Sequence, residues 1–201
     1  MATPGGGKGS IFFRGRFSEP FPGRGVAVGK GADCPAAIIH TERSSMSNLT
    51  PLAALYQSVV QEELGLVARV DDDGDVLFRH PDLGTMFFSL SESDPEFMRL
   101  VYPSFVDANE LGVTRLQLLE VVNAVNHGCK AVKLSVQAAS GPTAGRVSAS
   151  IESFVAAPDK LPAPELLRAI VARCVSAIRH SAGQVLKDAL ELSQGAAKPA
   201  K

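Results

Sequence analysis

Hydrophobic positions fall into two alternating rhythms from residue 50 onward. Thr50 can cap a helix, Pro51 suits its first turn, and Leu52, Leu55, Tyr56, Val59 and Leu64 follow the three-four spacing of one buried helical face, closed by Gly65. The period then drops to two. Leu66, Ala68 and Val70 alternate, Asp73 and Gly74 supply a tight turn, and Val76, Phe78 and His80 alternate again, which predicts a β-hairpin. After the Pro81–Gly84 turn, Met86, Phe88 and Leu90 predict a third strand. Glu96 to Tyr102 supports two readings: Asp94 and Pro95 can open a helix, yet Phe97, Arg99 and Val101 alternate with Met98 and Leu100 as in a strand, and a strand is predicted.

Leu116, Leu119, Val122 and Val125 predict a second helix that Gly128 can close. Val132, Leu134 and Val136 alternate with polar partners. A Ser140, Gly141, Pro142 turn leads to the matching alternation of Val147, Ala149 and Ile151, a second hairpin. Pro164 opens a long helix whose stripe holds Leu167, Ile170, Val171, Cys174, Ile178, Val185 and Leu186, with Gly183 as its weak point. These elements predict an α+β fold: helix, antiparallel β-meander, helix, β-hairpin and long C-terminal helix.

Residues 1–45 follow neither rhythm. They hold nine of the 18 glycines and six basic residues against three acidic ones, and are expected to form a flexible Gly-rich tail. Met46 stands just before the first regular pattern, so one reading places the native start there; another makes the tail an Arg-containing targeting extension. The folded domain is expected over 46–193, with 194–201, rich in Ala and Lys, as a disordered tail.

Composition narrows the function classes. A chain of 201 residues, 45% hydrophobic and 20% charged with a formal net charge of -1, is of globular type and lacks the basic excess of a nucleic-acid binder. Three scattered cysteines, Cys34, Cys129 and Cys174, form no disulfide framework and favour a cytoplasmic setting. No apolar run reaches the roughly 18 residues that suggest a membrane span.

Apparent motifs fail on detail. Gly5 to Ser10 resembles a phosphate loop, but Lys8 is followed by Gly9, and no strand precedes it. Gly23, Gly25 and Gly29 miss the dinucleotide spacing. Asp71, Asp72, Asp73 and Asp75 around Gly74 invite a calcium reading, but a strand begins at Val76 where a calcium loop continues, so a solvated turn is preferred. His127, Cys129 and Cys174 lack the tight pairing of a zinc cluster. Cys129 with a histidine as nucleophile and base has nothing local to activate the thiol. Neither a catalytic residue nor a cofactor is implied.

Strand parity isolates a different constellation. If Val76, Phe78, Met86, Phe88, Leu90, Val132, Leu134 and Val136 face the helices, then Arg69, Leu77, Arg79, Phe87, Ser89, Phe97, Arg99, Lys133 and Phe154 face away. An antiparallel sheet can leave such a face to water. Aromatics mixed with cations also suit a partner or dimer surface, because Leu77, Phe87, Phe97 and Phe154 together make a large apolar patch.

The run Phe87, Phe88, then Asp94, Pro95, Glu96, Phe97, then Tyr102, Pro103, Ser104, Phe105, with the later Asn123, Ala124, Val125, Asn126 and Lys130, Ala131, Val132, Lys133, resembles the YbjN-like family over most of residues 50–190. The resemblance implies a fold like that of type III secretion chaperones, a strand at Glu96 to Tyr102, and a peptide-binding, chaperone-like or regulatory role, often as a dimer, with no catalytic residues to carry over. The expected function is therefore a non-catalytic protein- or peptide-binding domain acting on the nine outward residues. The alternatives are a homodimeric regulatory or structural module, and a small enzyme using Cys129 or His127.

Overall fold

The computed structural model describes residues 49–196 except Ala139 and Pro142. The glycine-rich stretch 1–45 with its two glycine motifs and Cys34, the start at Met46, and residues 197–201 lie outside the described residues. Helix α1, Pro51–Leu64, begins where Thr50 Oγ1 accepts the N–H of Ala53 and ends where Gly65 takes a left-handed φ of 63°. A meander follows: β1 (Ala68–Val70), β2 (Val76–His80), β3 (Gly84–Ser89) and β4 (Phe97–Asp107). A short helix α2 (Ala108–Leu111) leads to α3 (Arg115–Gly128), then β5 (Lys133–Val136), β6 (Arg146–Phe154) and α4 (Pro164–Ala196). The protein is α+β, with one antiparallel six-stranded sheet in the order β1-β2-β3-β4-β6-β5.

All the larger helices lie on one face of this sheet. Val76, Phe78, Met86, Phe88, Met98, Leu100, Leu134, Val147, Ala149 and Ile151 from the strands share a single core with the stripes of α1, α3 and α4. Leu52, Tyr56, Val59 and Val60 form the α1 stripe, and Leu167, Val171, Val175, Ile178, Val185 and Ala189 form that of α4. At 33 residues α4 is about 50 Å long; it continues through Gly183 and to Ala196, beyond the expected end at Ser193. Arg168 pairs with Glu62 and Glu63 of α1, and Arg179 pairs with Asp82 of the β2–β3 turn.

The stripe of α3 corrects the expected one. Leu118, Val121, Val122 and Val125 are buried, while Leu116 is 66% exposed. Leu118, Val121, Val122 and Val125 follow the full three-four spacing of one helical face, whereas the positions four and seven residues after Leu116 are Glu120 and Asn123, so the buried phase is the one that carries Leu118. Thr114 and Gln117 close a capping box at the helix start, and the cap at its end is Cys129, not Gly128.

Strand β4 also runs five residues further than the predicted segment. A register shift between Tyr102 and Val106 absorbs Pro103 and Ser104, whose φ is +47°, after which Val106 pairs with Val147 and Asp107 with Arg146. Arg146 Nε also donates to the Asp107 carboxylate at 3.1 Å, and Tyr102 donates its hydroxyl to the Leu83 carbonyl.

At the centre of the core Tyr56 packs on Phe88 with ring centroids 4.9 Å apart. Its hydroxyl is fully buried without a hydrogen-bond partner among the described residues. Burial, with Cys174 adding to it, holds this phenol well above its ordinary titration range. An unsatisfied buried hydroxyl costs about 1–3 kcal/mol, so Tyr56→Phe is expected to leave stability unchanged or raise it by up to about 1 kcal/mol. Urea unfolding measures this; a loss larger than about 1 kcal/mol contradicts an unpartnered hydroxyl.

Candidate functional site

The face of the sheet opposite the helices is covered by no helix among the described residues, and register arranges its side chains in rows. Arg69, Leu77, Phe87, Val101, Ser150 and Lys133 are paired in succession across all six strands. The row therefore has three apolar side chains in its middle and a cation at each end. Beside it runs Ser89, Arg99, Glu152, and beyond that Phe97 opposite Phe154. Arg79 stands on the other side of the long row, opposite Thr85. All nine residues expected on the outward face are on it.

The structure divides the expected apolar patch in two. Phe97 and Phe154 form an edge-to-face pair with centroids 5.4 Å apart, and the polar row Ser89, Arg99, Glu152 separates them from Leu77 and Phe87. Phe154 is 73% exposed; Leu77, Phe87, Val101 and Phe97 are half-buried by their cross-strand neighbours.

Glu152 organises the β4–β6–β5 side of this face. Its carboxylate accepts from Lys133 Nζ at 2.7 Å, lies 3.4 Å from Arg99 Nε and accepts the Ser150 hydroxyl. The hydrogen bond from Lys133 is the largest of several effects that hold the acid below its ordinary range, against a smaller opposing effect of burial. Next to it lies a polar concavity of about 270 Å³, lined in part by Ser104, Ser135, Gln137, Ser148 and Ser150. Ser148 Oγ accepts there from the Ser104 N–H and from Gln137 Nε2. Glu152, Ser150, Ser148 and Val101 are members of the face that the outward set lacks, although the same alternation, counted from Ile151 and Leu100, places them there.

At each edge of the sheet, side-chain amides bond the backbone of one outer residue. Asn126 of α3 reaches β5, donating from Nδ2 to the Leu134 carbonyl at 3.0 Å and accepting the Leu134 N–H at 2.9 Å on Oδ1. Across the sheet, Gln57 and Gln61 of α1 donate to the Ala68 carbonyl of β1 at 2.9 and 3.4 Å. An edge strand with free backbone groups is a template for strand addition; here the groups a new strand needs at Leu134 are already bonded.

Residues considered for other chemistry have local uses. Asp71 accepts the N–H groups of Asp73 and Asp75 and so builds the β1–β2 turn, and Asp75 accepts the N–H of Leu90. Cys129 Sγ lies 3.1 Å from the buried Ser181 hydroxyl, while His127 is exposed on the last turn of α3. Cys174 is half-buried beside the core, and burial pushes its thiol up. Among the described residues no group of three or more His, Cys, Asp or Glu is placed to hold a metal ion, and no helix is long and apolar enough to cross a membrane.

No family model matches the chain, and no curated protein matches it. Among solved structures it is similar to the crystal structure of an uncharacterized protein from Methanothermobacter thermautotrophicus, with 12% identity and a TM-score of 0.43, over 72% of this chain and 98% of that one.

Two outcomes follow from this geometry. Asn126→Ala leaves the Leu134 backbone groups without their partners, so a loss of about 1–3 kcal/mol and concentration-dependent self-association are expected; sedimentation that stays unchanged across concentration contradicts the edge role. Glu152 titrates below the ordinary 4.5 in the folded state, so its ion pairs stabilise the fold at neutral pH and cease to do so as pH falls through the folded value. The stability gap between wild type and Glu152→Gln, at most about 1 kcal/mol for such exposed partners, is therefore expected to close in acid. A gap that widens on acidification contradicts this assignment.

Proposed function

We propose that this domain is a non-catalytic, chaperone-like protein-binding module that holds a segment of a partner protein against the outer face of its sheet. One observation carries the reading: a row of Leu77, Phe87 and Val101, bounded by Arg69 and Lys133, lies on a face that no described helix covers, while side-chain amides occupy the Leu134 backbone groups and the Ala68 carbonyl at the sheet edges. Burial of apolar surface there supplies affinity, at roughly 25 cal/mol per Å² before association costs, and the cations set register and choice of partner. The resemblance of the segments around Phe87 to Phe105 and Asn123 to Lys133 to the YbjN-like family supports the same reading. The low cysteine count favours a cytoplasmic site of action.

Leu77→Asp with Phe87→Asp places two charges in the row without entering the core, since both side chains point away from it. Proteins that co-purify with the wild type are expected to be lost with this variant while its far-ultraviolet circular dichroism stays close to wild type and its unfolding midpoint falls only in part, because the two new carboxylates face each other across β2 and β3. Undiminished capture by the folded variant contradicts the reading. Sedimentation separates a module whose row is covered by its own copy: a wild-type dimer that the double substitution turns into a monomer favours the homodimeric alternative.

A further inference from the structure

We infer that the segment held on this face is acidic, its apolar residues docking on Leu77, Phe87 and Val101 and its carboxylates meeting Arg69 and Arg79; the inference rests on the docking reading above. The face carries four cations, Arg69, Arg79, Arg99 and Lys133. Two of them already have a carboxylate, because Glu152 bonds Lys133 and lies against Arg99. Arg69 and Arg79 are exposed and form no ion pair among the described residues. They project on the same side as Leu77, one paired with Leu77 itself and the other two residues along the same strand. An arginine beside an apolar docking position offers a rigid fork of N–H donors suited to a carboxylate. Among the acids of the β1–β2 turn, Asp71 follows Arg69 by two residues on the same face and Asp75 feels the charge of Arg99, but neither forms an ion pair with Arg69 or Arg79, and the turn lies at the end of β2 opposite Arg79, the more open of the two cations.

Charge also argues against two other occupants. A second copy laid face to face with its long row aligned on this one sets Arg69 against Lys133 or against Arg69, because the row is cationic at both ends. The chain's own residues 1–45 hold six basic residues against three acidic ones, the wrong sign for this face. A single-stranded nucleic acid needs open aromatic rings for stacking. Here only Phe154 is widely exposed, and it stands across the Arg99 row from Leu77 and Phe87.

The test is selection from a displayed library of random peptides on the full-length wild type, on Arg69→Glu/Arg79→Glu, and on Leu77→Asp/Phe87→Asp. Wild type is expected to enrich peptides that combine apolar residues with a net negative charge, and a selected peptide should bind the double-arginine variant about tenfold or more weakly. Selection on that variant should shift toward neutral or basic peptides. If enriched peptides are neutral or basic on wild type, or if the arginine reversals leave the charge preference unchanged while Leu77→Asp/Phe87→Asp still abolishes enrichment, the acidic partner is overturned and the docking face stands. Enrichment that survives Leu77→Asp/Phe87→Asp, or its absence on wild type, overturns both.

Discussion

One-sided coverage of an antiparallel sheet is the constraint on which this molecule depends. Successive side chains of a strand point to opposite faces, so once α1, α3 and α4 gather on one side, every odd or even position of six strands has its environment decided together. Val76, Phe78, Phe88 and Leu100 become core, and Leu77, Phe87 and Val101 become surface. A one-residue slip in any strand would exchange the two sets, which is why the register is pinned by tight turns such as the one Asp71 builds and by the bulge around Ser104. The same constraint creates the candidate site.

The helices also reach the edges of the sheet. Sheets that bind partners by strand addition leave an edge open. In this protein α3 and α1 each send amide side chains to an outer strand, so Asn126 satisfies both backbone groups of Leu134 and Gln57 and Gln61 donate to the Ala68 carbonyl. The helices therefore do more than bury the core face. They also occupy backbone groups that an added strand would use at Leu134, whereas the arginines and the apolar row of the outer face present side chains.

Much of this was legible in the sequence, because alternation and capping are local signals. Thr50, Pro51 and Gly65 bound α1 as expected, and parity placed all nine outward residues on the correct face. The parts that were not legible depend on contacts between distant residues. The α3 stripe is an exception, because Leu118, Val121, Val122 and Val125 match the three-four spacing in full, whereas Leu116 is followed at the fourth and seventh positions by Glu120 and Asn123. The strand expected over Glu96 to Tyr102 runs on to Asp107, because a bulge carries it past Pro103. The division of the aromatic patch follows from the cross-strand register of Arg99 with Ser89 and Glu152, which no single strand reveals. Asn126 was visible only as a residue of the YbjN-like run; its role exists once β5 lies beside α3.

The central claim, that partners dock on the outer face of the sheet, is tested most directly by methyl-labelled nuclear magnetic resonance of the full chain titrated with a bound partner segment. The account predicts that the methyl signals of Leu77 and Val101 shift or broaden while those of Val76 and Leu100, their neighbours on the core side, stay in place. Shifts confined instead to the exposed leucines of α4, Leu166, Leu190 and Leu192, would contradict it.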